Sequence, residues 1–162
     1  MKEIKITQNK VVLVDDSDFE WLNQWKWQWK SGDRSIFGYA HRTQRIKGTK
    51  SKLHIKMHRL IMQAKEGQFI DHKNGNGLDN RRSNLRLCTL SQNNQNFPLS
   101  ISNKSGYKGV SWHKGAKRWR VTIKLEKKQK SLGYYHDLKK AAIAYNKGAK
   151  QYFGEFARIN TI

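Results

Sequence analysis

The chain has 162 residues, a length that fits one or two compact domains. Hydrophobic residues make up 36% and charged residues 28% of it, which predicts a soluble globular protein with a small core. A transmembrane helix is excluded, because no continuous apolar run approaches the roughly 18 residues that a helix needs to span a bilayer. The charged N-terminus lacks the apolar segment of a secretory signal. The single cysteine, Cys88, excludes an internal disulfide and a cysteine-based zinc site. We therefore expect an intracellular, cytoplasmic protein that is not secreted.

The net charge is the strongest compositional signal. Lys and Arg outnumber Asp and Glu by 33 to 12, which gives a net charge of +21 and an isoelectric point near 10.3. Such an excess of positive charge indicates a polyanionic partner. A membrane surface would favour a basic amphipathic helix or a terminal polybasic run, whereas this charge is spread along the whole chain. A nucleic acid is therefore the expected partner, although charge alone does not distinguish DNA from RNA.

A polar segment around the only proline, Pro98, predicts a linker between two domains. Residues 1–102 contain 18 basic and 9 acidic side chains, for a net charge of +9. Residues 103–162 contain 15 basic and 3 acidic side chains, for +12 in a shorter segment. We predict an N-terminal domain at 1–97 that includes a β-rich extension, a linker at 98–104 and a C-terminal domain at 105–162.

Hydrophobic periodicity predicts mixed secondary structure in the N-terminal part. Residues 11–14 form an apolar run that indicates a buried strand. Residues 17–20, Ser-Asp-Phe-Glu, fit a capping box that opens a helix extending to about residue 22. Alternating tryptophans at 25, 27 and 29 predict a strand whose aromatic rings lie in the core rather than in a base-stacking surface. The expected elements that follow are strands at 37–43 and 52–57 and a short helix with His58, Leu60 and Ile61 in its first turns.

The C-terminal part has a simpler predicted order. Alternating patterns indicate strands at 107–112, 117–125 and 128–134. Asp137 is the expected cap of a helix, in which apolar residues from Leu138 to Tyr152 recur at helical spacing. These elements predict a three-stranded antiparallel sheet with one helix packed across one face. The opposite face is then expected to be strongly basic.

The segment 69–93 combines side chains that can support chemistry. A short apolar run ends in Asp71-His72, a loop rich in Gly and Asn follows, and a second run leads to a polar helix start at Thr89. Oxygen atoms of Asp and Asn suit a hard divalent cation, and a neutral imidazole can deprotonate water. An Asp-His pair or an Asn-Gly turn alone is more often structural. The combination with Asn84 and Asn93 favours a site.

Four separated blocks in this region together resemble a phage-type HNH endonuclease. The blocks are Met57–Met62, Asp71–Asn76, Leu78–Arg86 and Thr89–Asn93, and the resemblance covers roughly residues 10–97. It implies a ββα-metal fold that binds one divalent metal ion. Mg²⁺ is the expected ion, and Mn²⁺ is the alternative.

The same resemblance implies a role for each residue of the motif. His72 is expected to be the general base that activates water, and Asp71 and Asn93 are expected to bind the metal. Asn84 would hold the hairpin loop so that His72 points at the phosphate. The nearby Asn94 and Asn96 remain alternatives for the helix ligand. For His58, which precedes the motif, packing or a phosphate contact is favoured over metal binding.

The C-terminal segment resembles a second family, the AP2 DNA-binding domain. The matching blocks are 107–110, 117–123, 131–135 and 141–146, and the resemblance covers about residues 105–160. In that family the three-stranded sheet lies in the major groove. The resemblance implies DNA contacts by a set of basic and aromatic residues: Lys108, Trp112, Arg118, Trp119, Arg120, Lys124 and Lys130. Strand alternation offers a different position for Trp119, under the helix.

Together these features predict an α+β protein with a ββα-metal nuclease domain followed by an AP2-like domain. The predicted function is a metal-dependent HNH endonuclease, nicking or homing-type and phage- or host-encoded, that hydrolyses double-stranded DNA. We expect a monomer, with a dimer on DNA as the alternative. The competing hypothesis is a sequence-specific DNA-binding regulator with an inactive nuclease domain. An RNA-binding protein is disfavoured, because the chain has no recognisable RNA-binding aromatic pattern.

Overall fold

The computed structural model describes residues 1–32, 35–126 and 128–162, with only the backbone described at 32 and 35–37. The chain divides into two compact units, Met1–Thr89 and Leu90–Ile162. Within the described residues, no helix has the length and apolar character needed to cross a bilayer. The functional domain boundaries given above, with a linker at 98–104, remain a prediction.

In its described residues, the first unit contains three small antiparallel sheets and two short helices. Strands β1 and β2 form one sheet, β3, β4 and β5 form the second in that order, and β6 and β7 form the third. Its elements in chain order are β1 (Lys2–Ile6), β2 (Lys10–Val14), α1 (Asp16–Asn23), β3 (Gln28–Gly32), β4 (Ser35–Arg45), β5 (Lys52–Lys56), α2 (Met57–Ile61), β6 (Phe69–His72) and β7 (Leu85–Cys88).

The strand predicted at 11–14 is present as β2, but it is buried on one side only. Val12 and Val14 lie in the core, while Val11 is 36% exposed. The partner strand β1 was not predicted, although its five residues alternate between charged and apolar types. Ile4 and Ile6 of β1 complete this part of the core.

The helix predicted to open at residues 17–20 is present as α1, but it begins at Asp16, so the predicted capping box is wrong. The N-cap residue is Asp15, and it makes no side-chain hydrogen bond to the helix. Its Oδ2 instead accepts from the backbone N–H of Arg82 at 2.8 Å. The cap residue is therefore used for a tertiary contact, which a local sequence pattern does not reveal.

The predicted tryptophan strand is shorter than expected, since only Trp29 lies in β3 and the other two rings precede it. The core position of these rings is confirmed. Trp27 is 2% exposed, and its Nε1 donates to the Leu22 carbonyl at 2.9 Å. Trp25 and Trp29 pack against the same core.

The second unit contains α3 (Leu90–Asn96), β8 (Val110–His113), β9 (Arg118–Leu125), β10 (Lys128–Tyr135) and α4 (Leu138–Phe153). The three strands form an antiparallel sheet in the order β10-β9-β8, as predicted, although the first strand starts at Val110 rather than at 107. Asp137 caps α4 as expected, because its Oδ1 accepts from the Lys140 N–H at 2.7 Å.

The helix α4 packs on one face of this sheet. Ala141, Tyr145 and Ala149 of the helix meet Val121 and Ile123 of β9 in the buried core. Gly109 lies against the same helix with φ of +74°, and a Cβ at that position would overlap the Tyr145 ring. A side chain other than hydrogen there would displace the helix from the sheet.

Candidate active site

The hairpin of β6 and β7 places Asp71 and His72 at the end of a strand. Asp71 pairs with Arg86 and His72 pairs with Leu85 across the hairpin. Both predicted site residues are buried, with 5% and 4% of their surface exposed. Because the strand fixes the backbone at this point, the two side chains are held by the sheet rather than by a mobile loop.

Asn84 ties together the loop that joins the two strands. Its Oδ1 accepts from the Asn74 N–H at 3.0 Å, and its Nδ2 donates to the Asp79 carbonyl at 2.8 Å. The same Nδ2 lies 3.1 Å from Asn74 Oδ1. One buried side chain thus connects the start, the middle and the end of the loop.

Asp79 forms a second brace inside the loop. Arg81 donates to both carboxylate oxygens of Asp79 at 2.7 Å, and Asn74 Nδ2 donates to Oδ2 at 2.8 Å. These hydrogen bonds from Arg81 lower the pKa of Asp79. Backbone hydrogen bonds to Leu13 of β2, from Leu13 N–H to the Leu78 carbonyl and from Asn80 N–H to the Leu13 carbonyl, attach the loop to the core.

Asn80 contacts His72 directly, and no role for it was predicted from the sequence. Asn80 is fully buried, and its Oδ1 lies 3.2 Å from His72 Nε2. Because an amide oxygen accepts, this contact fits the tautomer in which Nε2 carries the ring hydrogen and Nδ1 carries the basic lone pair. The only sequence signal was the position of Asn80 within the Leu78–Arg86 block, eight residues beyond His72.

Three rings form a cluster around the candidate base. The Tyr39 ring lies 5.0 Å from His58 and 5.6 Å from His72, and the two histidine rings are 5.1 Å apart in an edge-to-face arrangement. Burial lowers the pKa of His72, and burial together with the neighbouring His72 lowers the pKa of His58 well below its usual value. Burial raises the pKa of Tyr39. Both imidazoles are therefore neutral near pH 7, as a general base must be.

Asp71 is paired with Arg86 through one of its oxygens. Arg86 Nε and Nη2 lie 2.8 and 2.7 Å from Asp71 Oδ2. Within the described residues, no cluster of three or more His, Cys, Asp and Glu side chains is arranged to hold a metal ion. Mg²⁺ in phosphoryl-transfer sites is usually held by one or two carboxylates together with substrate phosphates and waters. A single buried carboxylate therefore fits such an ion.

The remaining predicted ligand lies in the second unit. Asn93 is half-buried on α3, Asn94 is exposed on the same helix and Asn96 is buried at its end. Their participation in metal binding stays a prediction.

The structure divides the predicted DNA-binding residues of the second unit into three groups. Arg118, Arg120 and Lys124 alternate on β9 with the core residues Val121 and Ile123, and therefore lie on the face of the sheet away from α4. This is the basic face that the sequence predicts. Arg118 and Lys124 are exposed, and Arg120 is half-buried.

The second group lies on the helix side of the sheet. Trp112 and Trp119 are cross-strand partners, with rings 5.1 Å apart, and Trp119 packs against the core under α4. The ammonium group of Lys130 lies 4.6 Å from the centre of the Tyr152 ring of α4. Trp119 therefore lies on the helix side of the sheet, the position that strand alternation offered, and not on the exposed face.

Lys108 is the third case. Its ammonium group donates to the carbonyls of Gln95 and of Phe97, the latter at 2.6 Å. Burial lowers the pKa of Lys108 to about 8. This side chain ties the end of α3 to the loop that precedes β8.

Comparison with known proteins identifies the family. The family model described as HNH endonuclease matches residues 56–95. Protein 3.8 of Escherichia phage T7 is 38% identical over 94 residues, which cover 58% of this chain and 77% of that protein. The chain belongs to the HNH endonuclease family. An uncharacterized HNH endonuclease, L560, of Acanthamoeba polyphaga mimivirus is 34% identical to this HNH protein over 121 residues, which cover 70% of this chain and 59% of the relative. No solved structure matches.

Membership of the HNH family classes the protein as a nuclease. Nucleases of this family depend on divalent metal ions and act on DNA. The matched span includes Asp71, His72, Asn84 and Asn93. Asn80, which contacts His72, lies in the same span.

Proposed function

We propose that the protein is a metal-dependent DNA endonuclease of nicking or homing type in which His72 is the general base. The observation that supports this most directly is the buried contact between His72 Nε2 and Asn80 Oδ1 at 3.2 Å. The contact fits the tautomer with the lone pair on Nδ1 and restrains the plane of the ring. A general base needs both a defined tautomer and a defined orientation.

The proposed reaction is hydrolysis of one phosphodiester bond. His72 Nδ1 takes a proton from a water molecule while the water oxygen attacks phosphorus. A P–O bond of the DNA backbone breaks, and the leaving oxygen takes up a proton from solvent to become a hydroxyl group. The burial that lowers the pKa of His72 keeps the ring neutral before the reaction. Tyr39 and His58 shield one side of the ring from bulk water.

Asp71 and Asn93 are the proposed metal ligands, with Mg²⁺ favoured. A bound divalent cation supplies electrostatic stabilisation of the charge that develops on the phosphate. Arg86 orients the Asp71 carboxylate through Oδ2. Asn84 keeps the loop closed over the end of β6, and we propose this as the reason that the family motif has an amide there.

The second unit is proposed to be an AP2-like domain that delivers the nuclease to double-stranded DNA. The exposed face of its sheet presents Arg118, Arg120 and Lys124, and residues 103–162 have a net charge of +12. We assign the DNA contacts to this face. Trp112, Trp119 and Lys130 then support the sheet from the helix side, and Lys108 holds the preceding segment.

The decisive experiment is incubation of supercoiled plasmid with the purified protein, with and without Mg²⁺. Open-circle or linear product is expected only with the metal, and His72→Ala is expected to abolish most of it. Binding without any cleavage by the wild-type chain under Mg²⁺ and Mn²⁺ would contradict the proposal. That result would favour the alternative, a DNA-binding regulator with an inactive nuclease domain.

A further inference from the structure

The β3-β4-β5 sheet of the first unit has one core face and one exposed face. Ala40 is fully buried, and Trp29 and Ile55 pack against the same core. Residues directly opposite each other in an antiparallel pair lie on the same face, and successive residues alternate between faces. The neighbours of these core residues therefore lie on the exposed face.

Among the described side chains, six basic or histidine residues occupy that exposed face, and we call them the basic strip. The register pairs Lys30 with Tyr39, His41 with Lys56, Thr43 with His54 and Arg45 with Lys52. The strip consists of Lys30, His41, Arg45, Lys52, His54 and Lys56.

Side-chain contacts agree with this common orientation. The rings of His41 and His54 lie 6.4 Å apart, and Thr43 Oγ1 lies 3.5 Å from His54 Nδ1. The Lys56 ammonium lies 5.8 Å from the centre of the Tyr39 ring. The strip therefore forms a continuous surface along both strands of the β4–β5 hairpin.

The β4–β5 segment, which contributes five of the six strip residues, has no acidic residue to balance their charge. Residues 34–65 contain nine Lys and Arg residues and no Asp or Glu. Elsewhere in the unit, arginines next to the active-site loop are neutralised, because Arg81, Arg82 and Arg86 each pair with an aspartate. Among the described residues, no ion pair involves a strip residue. The uncompensated charge makes a polyanion the complementary partner.

One end of the strip reaches the candidate active site. Tyr39 lies on the same face of β4 as His41, and its ring is 5.6 Å from His72. From Tyr39 to Arg45 the strand extends about 20 Å, at ~3.3 Å per residue. That length corresponds to roughly six nucleotides along one DNA strand, at ~3.4 Å each.

We propose that the basic strip binds the DNA backbone flanking the phosphate at His72. The nuclease unit then holds DNA by itself, and the second unit is not the only contact. The position of the strip relative to the cleaved bond rests on the proposed function, in which His72 is the catalytic residue. DNA binding by the strip can be measured without catalysis.

The test compares two double variants of the full chain, Arg45→Gln/Lys52→Gln in the strip and Lys5→Gln/Lys26→Gln as a control. Lys5 and Lys26 are exposed side chains of the same unit outside the β4–β5 hairpin. Each double variant replaces two cationic side chains by glutamine, so both lose the same charge. Binding to a mixed-sequence 30-base-pair duplex is followed by fluorescence anisotropy in EDTA across a range of salt concentrations. Thermal unfolding checks that each variant is folded.

Each lost phosphate contact makes the plot of log affinity against log salt less steep, by about 0.9 in the magnitude of its slope. The strip variant is therefore expected to lower the slope by about 2 and to weaken binding on the order of tenfold at moderate salt. The control is expected to change the slope by less than half as much. Equal effects of the two variants, or an unchanged slope in the strip variant, would overturn the proposal. An unchanged slope is also the result expected if the strip serves a protein partner.

Plasmid nicking with Mg²⁺ is measured separately on the wild-type chain. Loss of DNA binding in the strip variant, combined with no nicking by the wild type, supports the strip and contradicts the catalytic assignment. Nicking by the wild type with an unchanged salt slope in the strip variant contradicts the strip alone.

Discussion

Asn80 Oδ1 lies 3.2 Å from His72 Nε2, and both side chains are buried. The hydrogen bond raises the pKa of His72, while burial, the larger effect, lowers it. The amide thus keeps the imidazole more basic than burial alone would leave it. This relationship links a residue without a sequence-based role to the candidate base.

The first prediction concerns His72 itself. His72→Ala is expected to reduce plasmid nicking by about 10²- to 10⁴-fold, the usual contribution of a general base. DNA affinity, measured in EDTA, should stay close to that of the wild type, because a neutral ring makes little contribution to binding a polyanion. Wild-type nicking by this variant at saturating Mg²⁺ would rule out the assignment.

The second prediction uses Asn80 to shift the pH profile. Asn80→Ala removes the hydrogen bond that raises the pKa of His72, so the acidic limb of the nicking rate should move to lower pH. Asn80→Asp places a negative charge beside the ring and should move the limb to higher pH. The rate is measured from about pH 5 to pH 8. Shifts of the same sign in the two variants would show that Asn80 acts on folding and not on the base.

Much of the secondary structure follows from local patterns. The sheet of the second unit and the Asp137 cap of α4 were predicted from alternation and from a single capping residue. Strand β1 was not predicted, although its partner β2 is its neighbour in sequence. The start of α1 was not predicted because its determinant is tertiary. Asp15 bonds Arg82, which is 67 residues away, instead of capping its own helix.

The same limit applies to the candidate site. The Asp71-His72 pair is visible in the sequence because adjacent residues at a strand end form a pattern. Asn80 and Tyr39 are not visible, since their proximity to His72 depends on how a loop folds back and on how another sheet packs. Burial and the resulting pKa directions are likewise properties of the folded core and not of any motif.

The third prediction concerns the metal. Asp71→Asn and Asn93→Ala should each raise the Mg²⁺ concentration needed for nicking by about tenfold or more. Asparagine is chosen at position 71 because its oxygen still accepts from Arg86, which is itself largely buried. Asn94→Ala and Asn96→Ala are the matched comparisons. If one of these shifts the Mg²⁺ titration and Asn93→Ala does not, the helix ligand is a different asparagine.

The fourth prediction is the pH dependence of stability. His58 and His72 have lower pKa values in the folded protein than in the unfolded chain, so the unfolded chain binds more protons as the pH falls below about 6.5. The free energy of unfolding is therefore expected to be highest above that pH and to decline towards the lowered folded-state values. Urea unfolding at about pH 7 and about pH 5.5 measures the decline.

Replacement of His58 by Phe should make that decline smaller, because one of the two titrating groups is gone. His136→Phe is the control, since His136 is exposed and lies in the second unit. An equal decline in the wild type and in His58→Phe would mean that the His58 ring contributes nothing to the acid sensitivity.

The fifth prediction separates the two faces of the sheet in the second unit. Arg118→Gln and Lys124→Gln remove charges from the face away from α4, and each is expected to lower the slope of log affinity against log salt by about 1. Lys130→Gln removes the same charge from the helix side, where the ammonium lies on the Tyr152 ring. It should change the slope far less, because that group does not face the bound DNA. A Lys130→Gln effect as large as the other two would place DNA on the helix side and would contradict the assignment of the exposed sheet face as the DNA-binding surface.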